Sequence, residues 1–230
     1  MRWFMILVVA LAAGFAGAAL WDVSGLGGKS TRDYLLSNPE VLPEAMDVLQ
    51  RRDQLARIEP LRGQLETPFP GAVLGNPQGS VTLVEFSDYA CTYCRQSLAD
   101  VTALVAAHPD LRVVIREYPI LAPESVDAAR MALAAAQQGK YAAFHDAMFR
   151  LGPPSADSIE AAAAAAGVDL ARARAAIATG ALDMQLQTNA QLALQLGISG
   201  TPGWVVGDQA LNGAVGREAI GEAIEEARRS

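Results

Sequence analysis

The pattern of apolar and polar positions changes character several times along the chain. Residues 3 to 21, from Trp3 to Trp21, carry no charge, with Arg2 just before them and Asp22 just after. Such a run near the N-terminus is an export or membrane-insertion signal. Ala16-Gly17-Ala18 satisfies the small-x-small rule for cleavage before Ala19, and the run is also long enough to cross a bilayer at ~1.5 Å per residue. Signal peptide and membrane anchor therefore both stand for residues 1–21. A buried core helix is disfavoured, because nothing polar marks one face. Either reading puts the remaining chain outside the cytoplasm, with Arg2 inside.

From Asp22 to Pro70 the chain turns charged and helix-forming. Asn38-Pro39-Glu40 and Pro43-Glu44 are helix-start signals and Pro60 is a break or kink. Apolar residues recur every three or four positions, as Leu42, Met46, Leu49 and then Ile58, Leu61, Leu65, with Arg51, Arg52 and Asp53 between. The result is one narrow stripe in a helical stalk or linker, residues 22–69. It either packs on its own domain or, within residues 30–66, buries itself against further copies of the chain in a homo-oligomer.

From residue 70 to 230 the periodicity predicts strand, helix, strand, helices, strand, helix. Val81 to Phe86 is a β-branched run bounded by Gly79-Ser80 and Ser87-Asp88, as a strand buried on both faces requires. Leu98, Val101, Leu104 and Val105 give a helix that begins at the cysteine motif and ends at His108-Pro109-Asp110, before a second strand from Leu111 to Tyr118. That is a βαβ unit with parallel strands. Three or four helices fit the insertion at about 123–197, one of them begun by Ser158-Ile159-Glu160 and stopped by Gly167. Trp204-Val205-Val206, a Gly207-Asp208 turn and Leu211 read as a hairpin, and Gly216 to Arg229 as a closing helix.

Composition narrows the function. A chain of 230 residues, 51% hydrophobic and 19% charged, builds a core, which rules out disorder throughout. Its 18 Lys and Arg against 25 Asp and Glu give a net charge of −7, and no nucleic-acid partner is expected without a basic surplus. The two cysteines, Cys91 and Cys94, are too few for a disulfide scaffold. A structural zinc site needs about four ligands, and His108 and His145 stand in no companion spacing, so no metal is assigned.

Cys-Thr-Tyr-Cys at a helix start sets the first sulfur beside unpaired backbone N–H groups and the positive end of the helix dipole, both of which stabilise a thiolate. Cys91 is therefore the candidate nucleophile. Cys94, at i+3 on the same helical face, can close a disulfide and resolve a mixed disulfide on Cys91. Two alternatives stand beside this redox-active pair. One is a copper-binding or copper-protective role for the same thiolates, since soft sulfur binds Cu(I); the other is a non-catalytic assembly subunit built on the stalk. Glu85, six residues before Cys91, is a carboxyl in a strand expected to be buried, where it costs free energy unless it serves something; strand parity alone leaves a solvent-facing Glu85 open.

Val84-Glu85-Phe86-Ser87-Asp88-Tyr89-Ala90-Cys91-Thr92-Tyr93-Cys94 resembles the active-site segment of DsbA-like proteins of the thioredoxin superfamily. Arg116-Glu117-Tyr118-Pro119-Ile120-Leu121, Ala143-Phe144-His145-Asp146-Ala147-Met148-Phe149 and Gly200-Thr201-Pro202 resemble the same family in the same order, and residues 30–66 are similar to the N-terminal region of ScsC-like (suppressor of copper sensitivity C type) members. The resemblance implies an α/β, thioredoxin-like fold with an inserted helical subdomain, preceded by the stalk. It implies a cis Pro202 facing the cysteines, with Thr201 offering its backbone to a substrate chain as an added strand. Glu85 matches the buried acidic residue of these proteins, which makes it the candidate proton shuttle to Cys94, and His145 matches a family position read as a packed helix residue.

Tyr93 stands where strong oxidases of the family carry His, which removes one group that would stabilise the thiolate, and Thr201 is similar to the isomerase and reductase members. The implied function is an extracytoplasmic or periplasmic protein thiol-disulfide oxidoreductase, inclined toward isomerase or reductase, that needs no cofactor. Its implied partners are cysteine-containing secreted proteins and a DsbB-like or DsbD-like membrane redox partner.

Overall fold

In a computed structural model that describes residues 2–23 and 26–229, the chain divides into a unit up to Gln50 and a unit from Arg51 onward. The first holds helix α1 (Arg2–Val23), helix α2 (Leu26–Ser37) and the beginning of helix α3 (Val41–Ile58). Within α1, Trp3–Trp21 has a mean hydropathy of 2.3 and is not buried at all, so it is long and apolar enough to cross a membrane. Residues 24 and 25, in the stretch assigned to the stalk, lie outside the described residues. Helix α2 stops where Asn38 precedes Pro39, because a proline ring disfavours helical geometry at the residue before it. Asn38 closes the end by donating to the Tyr34 carbonyl from its backbone N–H (2.8 Å) and from its side-chain Nδ2 (2.9 Å). Leu42, Met46 and Leu49 on α3 are exposed.

In the second unit, the stretch from Arg51 to Thr67 packs as part of the core. Pro60 sits in a 3-10 turn, Glu59–Leu61, that separates α3 from helix α4 (Arg62–Glu66). Ile58 and Leu65 are buried with Val84, Phe86, Val114, Leu192 and Ile198. The two halves of the apolar stripe thus have different environments, buried after Arg51 and exposed before it. Arg116 fastens α4 down, its buried guanidinium donating to the carbonyls of Gln64, Leu65 (3.0 Å) and Thr67 (2.6 Å) just where that helix runs out of internal donors. Burial without a counter-ion pulls the Arg116 pKa down to about 10.

One mixed sheet organises this unit, in the order β1-β3-β2-β4-β5. Strands β1 (Val73–Gly75), β2 (Val81–Ser87), β3 (Leu111–Glu117), β4 (Gly203–Val206) and β5 (Gln209–Asn212) pair antiparallel except for β2 with β3, which run parallel from Val81↔Leu111 to Ser87↔Glu117. Every residue of β2 is buried, as suits its mostly apolar run, and this includes the polar Thr82, Glu85 and Ser87. Val81 and Leu83 enter the larger core, whereas Val84 and Phe86 enter the smaller one that holds Ile58 and Leu65. By the two-residue period, Glu85 and Ser87 project with Leu83 into the larger core.

Helix α5 (Thr92–Ala107) crosses from β2 to β3, and the insertion then forms α6 (Pro123–Ala136), α7 (Tyr141–Leu151), α8 (Ala156–Ala165), α9 (Leu170–Ala178) and α10 (Ala181–Leu196) before the closing helix α11 (Gly216–Ala227). The insertion has five helices rather than three or four, because each glycine break divides it. Asp169 caps α9 by accepting the Arg172 N–H at 3.0 Å, immediately after Gly167 ends the preceding turn with φ 69°. Helix α8 starts earlier than Ser158. Ser155 is its N-cap and accepts the Ser158 N–H at 3.1 Å, while the Ser158 hydroxyl accepts the Ser155 N–H at 2.8 Å. Strand β1, three residues long and only partly buried, escapes the pattern.

Ile58→Ala tests whether this pre-sheet segment belongs to the core. The loss expected is about 2–5 kcal/mol, the usual result of truncating a fully buried Ile, measured by urea unfolding of the full chain. A loss under about 0.5 kcal/mol, the size of a typical surface substitution, would contradict it.

Candidate functional site

Strand β2 delivers the chain to the N-terminus of α5, and the turn between them is held by its own first residue, Asp88. Its buried carboxylate accepts the Ala90 N–H at 2.8 Å, the Ile120 N–H at 2.8 Å and the Leu121 N–H at 2.9 Å, while its carbonyl accepts the Cys91 N–H at 3.0 Å. The loops that follow β2 and β3 are thereby tied into one rim.

Cys91 is the N-cap of α5, in extended conformation (φ −78°, ψ 116°), and its Sγ accepts the Cys94 N–H at 3.4 Å. A thiolate formed there meets an unpaired backbone donor and the positive end of the helix. Cys94 lies one turn along, and both residues are free cysteines with their side chains buried. The Cys91 thiol donates to the Thr201 carbonyl at 3.1 Å. The Thr201–Pro202 peptide is cis, and the loop before β4 turns the Thr201 carbonyl toward Cys91. Gly203 follows because a Cβ there would come within 2.4 Å of Ile198 Cγ2. Tyr93, between the cysteines, is 60% exposed.

Glu85 is 3% exposed and faces inward, so the solvent-facing alternative falls. Burial raises its pKa from the ordinary 4.5 to about 7, with the Ser87 hydroxyl acting slightly the other way. The Cys94 thiol is pushed up, first by burial and then by the charge of Glu85. The first cysteine therefore sits among stabilising dipoles and the second beside a group able to accept its proton.

The sequence did not disclose a second buried carboxyl, Glu117, at the end of β3. Its Oε1 accepts the Tyr141 hydroxyl at 2.7 Å and the Tyr89 hydroxyl at 3.1 Å, and Tyr89 Oη also lies 3.0 Å from His145 Nδ1. Burial lifts Glu117 to about 8 despite these bonds, and lowers His145 to about 3, so at neutral pH His145 is a neutral packed ring. The only signal was a charged residue on the parity of an apolar strand. Among the described residues no group of three or more His, Cys, Asp or Glu converges, so metal binding at this site would fall to the two sulfurs alone.

The DSBA-like thioredoxin domain family model matches residues 82–225, spanning the cysteines, the insertion and the cis-proline loop. The chain belongs to that family. A model described as the copper resistance protein ScsC N-terminal domain matches residues 29–56. Among solved structures, this DsbA-like chain is 41% identical to a thioredoxin-like oxidoreductase from Silicibacter pomeroyi DSS-3 (TM-score 0.66, covering 69% of this chain and 92% of that one). It is 28% identical to a periplasmic thioredoxin-like protein from Salmonella enterica serovar Typhimurium (TM-score 0.65, 74% and 97% covered). It is also 28% identical to Proteus mirabilis ScsC in a transitional conformation (TM-score 0.67, 86% and 92% covered). The chain spans about a quarter of the length of the curated relatives it matches. One is the Na(+)/H(+) antiporter NhaA 3 of Salinispora tropica, 30% identical over 158 residues, 66% of this chain and 24% of that protein. The DsbA-like, ScsC-like thiol-disulfide oxidoreductase fold is thus shown for this chain.

The two raised carboxyls make stability depend on pH. In the unfolded chain Glu85 and Glu117 lose their protons near 4.5, but in the folded protein only near 7 and 8. The native state therefore binds the extra protons in between. Their contribution is full below 4.5 and is lost as pH rises through about 7 to 8. His145 acts oppositely, but only as pH falls below 6.5. From pH 6.5 to 8 the Tm of the reduced protein is expected to fall, and Glu117→Gln to flatten that fall. A fall of equal slope in the variant would show that Glu117 does not titrate there.

Proposed function

We propose that this protein is an extracytoplasmic protein thiol-disulfide oxidoreductase in which Cys91 attacks and Cys94 resolves. The observation that carries this reading is the position of Cys91 Sγ, at the N-cap of α5 with the Cys94 N–H at 3.4 Å and the Thr201 carbonyl at 3.1 Å. A disulfide-bearing chain laid along Thr201 pairs its backbone with that loop as an added strand and brings its sulfur to Cys91. The Cys91 thiolate displaces one substrate sulfur, giving a mixed disulfide and a substrate thiol. Cys94 then gives up its proton to Glu85 and attacks Cys91 Sγ, releasing the second substrate sulfur and leaving Cys91–Cys94 oxidised. The reverse sequence donates a disulfide. No bound cofactor enters either direction.

The location follows from the apolar Trp3–Trp21 segment and from the periplasmic description of the Salmonella relative. The substrates proposed are cysteine-containing secreted proteins, and a DsbB-like or DsbD-like membrane partner resets the pair. Within this reading we assign the protein to isomerisation or reduction rather than oxidation, because exposed Tyr93 supplies no cationic donor beside Cys91 and a less stabilised thiolate makes a less oxidising pair. We further propose that exposed Leu42, Met46 and Leu49 bury themselves against copies of the chain.

Cys94→Ser should accumulate a Cys91 mixed disulfide with a cystine-containing peptide, seen by mass spectrometry, and Cys91→Ser should form none; adducts in both variants would refute the assignment of roles. In glutathione buffers the wild-type pair should equilibrate below about −180 mV, and Tyr93→His should shift it toward the ~−120 mV of a strong oxidant. A wild-type value near that upper figure would reverse the assignment to isomerisation or reduction. Replacing Leu42, Met46 and Leu49 together by Lys should reduce the detergent-solubilised full chain to a monomer in light scattering, and an unchanged mass would exclude this stripe as the interface.

A further inference from the structure

Ser87 carries the polar group that the scheme above leaves unused. The residue is 2% exposed, and its Oγ is shut off from solvent without a hydrogen bond of ordinary length. A buried hydroxyl in that state forfeits the hydration it had in water, so its retention in a fully buried strand calls for a reason. Strand parity sets its side chain on the same face as Glu85, two residues earlier, the face that contributes Leu83 to the core shared with Cys94. The Ser87 hydroxyl favours the charged form of both the Glu85 carboxyl and the Cys94 thiol.

The other titratable groups on the neighbouring elements are engaged elsewhere. Glu117, opposite Ser87 in the β2–β3 register, has its Oε1 taken by Tyr141 and Tyr89. Tyr89 also contacts His145 on α7, Asp88 is occupied by three backbone N–H groups, and Cys91 donates to Thr201. On β4 the neighbour of Glu85 is the uncharged Trp204.

We propose that Ser87 is the proton relay between Cys94 and Glu85 in the resolving step, a proposal that rests on the assignment of those two residues above. A hydroxyl both accepts and donates, so Ser87 Oγ takes the proton of the Cys94 thiol on a lone pair while passing its own to the Glu85 carboxylate. The Cys94 thiolate so formed attacks Cys91 Sγ. The new Sγ–Sγ bond forms as the bond from Cys91 to the substrate sulfur breaks, and the substrate leaves with that electron pair as a thiolate that takes a proton from water. Two electrons have passed from the cysteine pair to the substrate disulfide, and one proton rests on Glu85. In the opposite direction the same hydroxyl returns that proton to Cys94 as it leaves. Ser87 completes its hydrogen bonds only while the proton is in transit.

The test uses the reduced full-length chain in detergent, mixed with the aromatic disulfide dithionitrobenzoate in a stopped-flow instrument. Release of the first thionitrobenzoate reports capture by Cys91, and release of the second reports resolution by Cys94. The decisive comparison is Ser87→Thr with Ser87→Val, which match in shape and differ in the hydroxyl. Ser87→Val should slow the second release by about 10²-fold at neutral pH, the lower end of what positioned proton transfer contributes, with the first release unchanged. Its rate should lose the rise near pH 7 that follows Glu85 in the wild type, and Ser87→Thr should restore both rate and profile. Equal second-release rates and profiles in the two variants would overturn the relay. Glu85→Gln separates the two levels of the argument. If it slows the second release while Ser87→Val does not, only the relay fails, whereas if it leaves rate and profile unchanged the Glu85 assignment fails and takes the relay with it.

Discussion

Two carboxyl groups buried on one face of a sheet are the constraint around which the second unit is arranged. Glu85 and Glu117 sit near the ends of adjacent parallel strands, where an unpaired charge is expensive, and each has its own solution. Glu117 is enclosed by the hydroxyls of Tyr89 and Tyr141, which ties the loop before Cys91 to the first turn of α7 and so makes the insertion part of the site's foundation. Glu85 receives no comparable set of donors and keeps a proton until about pH 7. The better-satisfied carboxyl holds structure, and the other is the one that the proposed mechanism uses for proton transfer.

The two cysteines inherit the same asymmetry. Cys91 stands at the helix N-terminus, where a sulfur gains from dipoles already in place, and its thiol touches the loop on which a substrate would pair. Cys94 faces the interior, where burial and the neighbouring carboxyl both resist ionisation. In the proposed mechanism, nucleophilic capture at Cys91 thus proceeds at the rim without moving a deep proton, while resolution by Cys94 does not. Under the proposed mechanism the second cysteine needs an acceptor beside it, which gives the buried acid a use in a strand that is otherwise apolar or hydroxyl-bearing.

Much of this was legible in the sequence, because the informative signals were local. The run from Val81 to Phe86, the cysteine spacing and Gly200-Thr201-Pro202 located strand, helix start and loop to within a residue or two. What escaped depends on tertiary parity. Glu117 and Glu85 look alike in the sequence, and only the β2–β3 register shows that both project into the larger core. Asp88 and Ser155 were hidden because their roles are carried by hydrogen bonds to backbone groups, which leave no periodicity. The short strand β1 and the nine-residue helix α9 fall below the length at which a period can be read.

The apolar stripe from Leu42 to Leu65 shows where periodicity stops being informative. Its three- to four-residue spacing recurs on both sides of a polar middle, yet Ile58 and Leu65 lie against Phe86 and Leu192 whereas Leu42, Met46 and Leu49 lie open. A stripe states that something apolar must cover it but not whether that cover comes from the same chain. The change of environment coincides with the charged interruption at Arg51-Arg52-Asp53. Gln54, just beyond it, reaches the edge strand β5, its side-chain amide exchanging hydrogen bonds at 3.4 Å with the Ala210 N–H and carbonyl. An unpaired strand edge invites pairing with another chain, and a side-chain amide that fills one of its backbone positions protects it. The second half of α3 therefore guards the sheet through Gln54 and lines its core through Ile58, whereas Leu42, Met46 and Leu49 before Arg51 stay exposed.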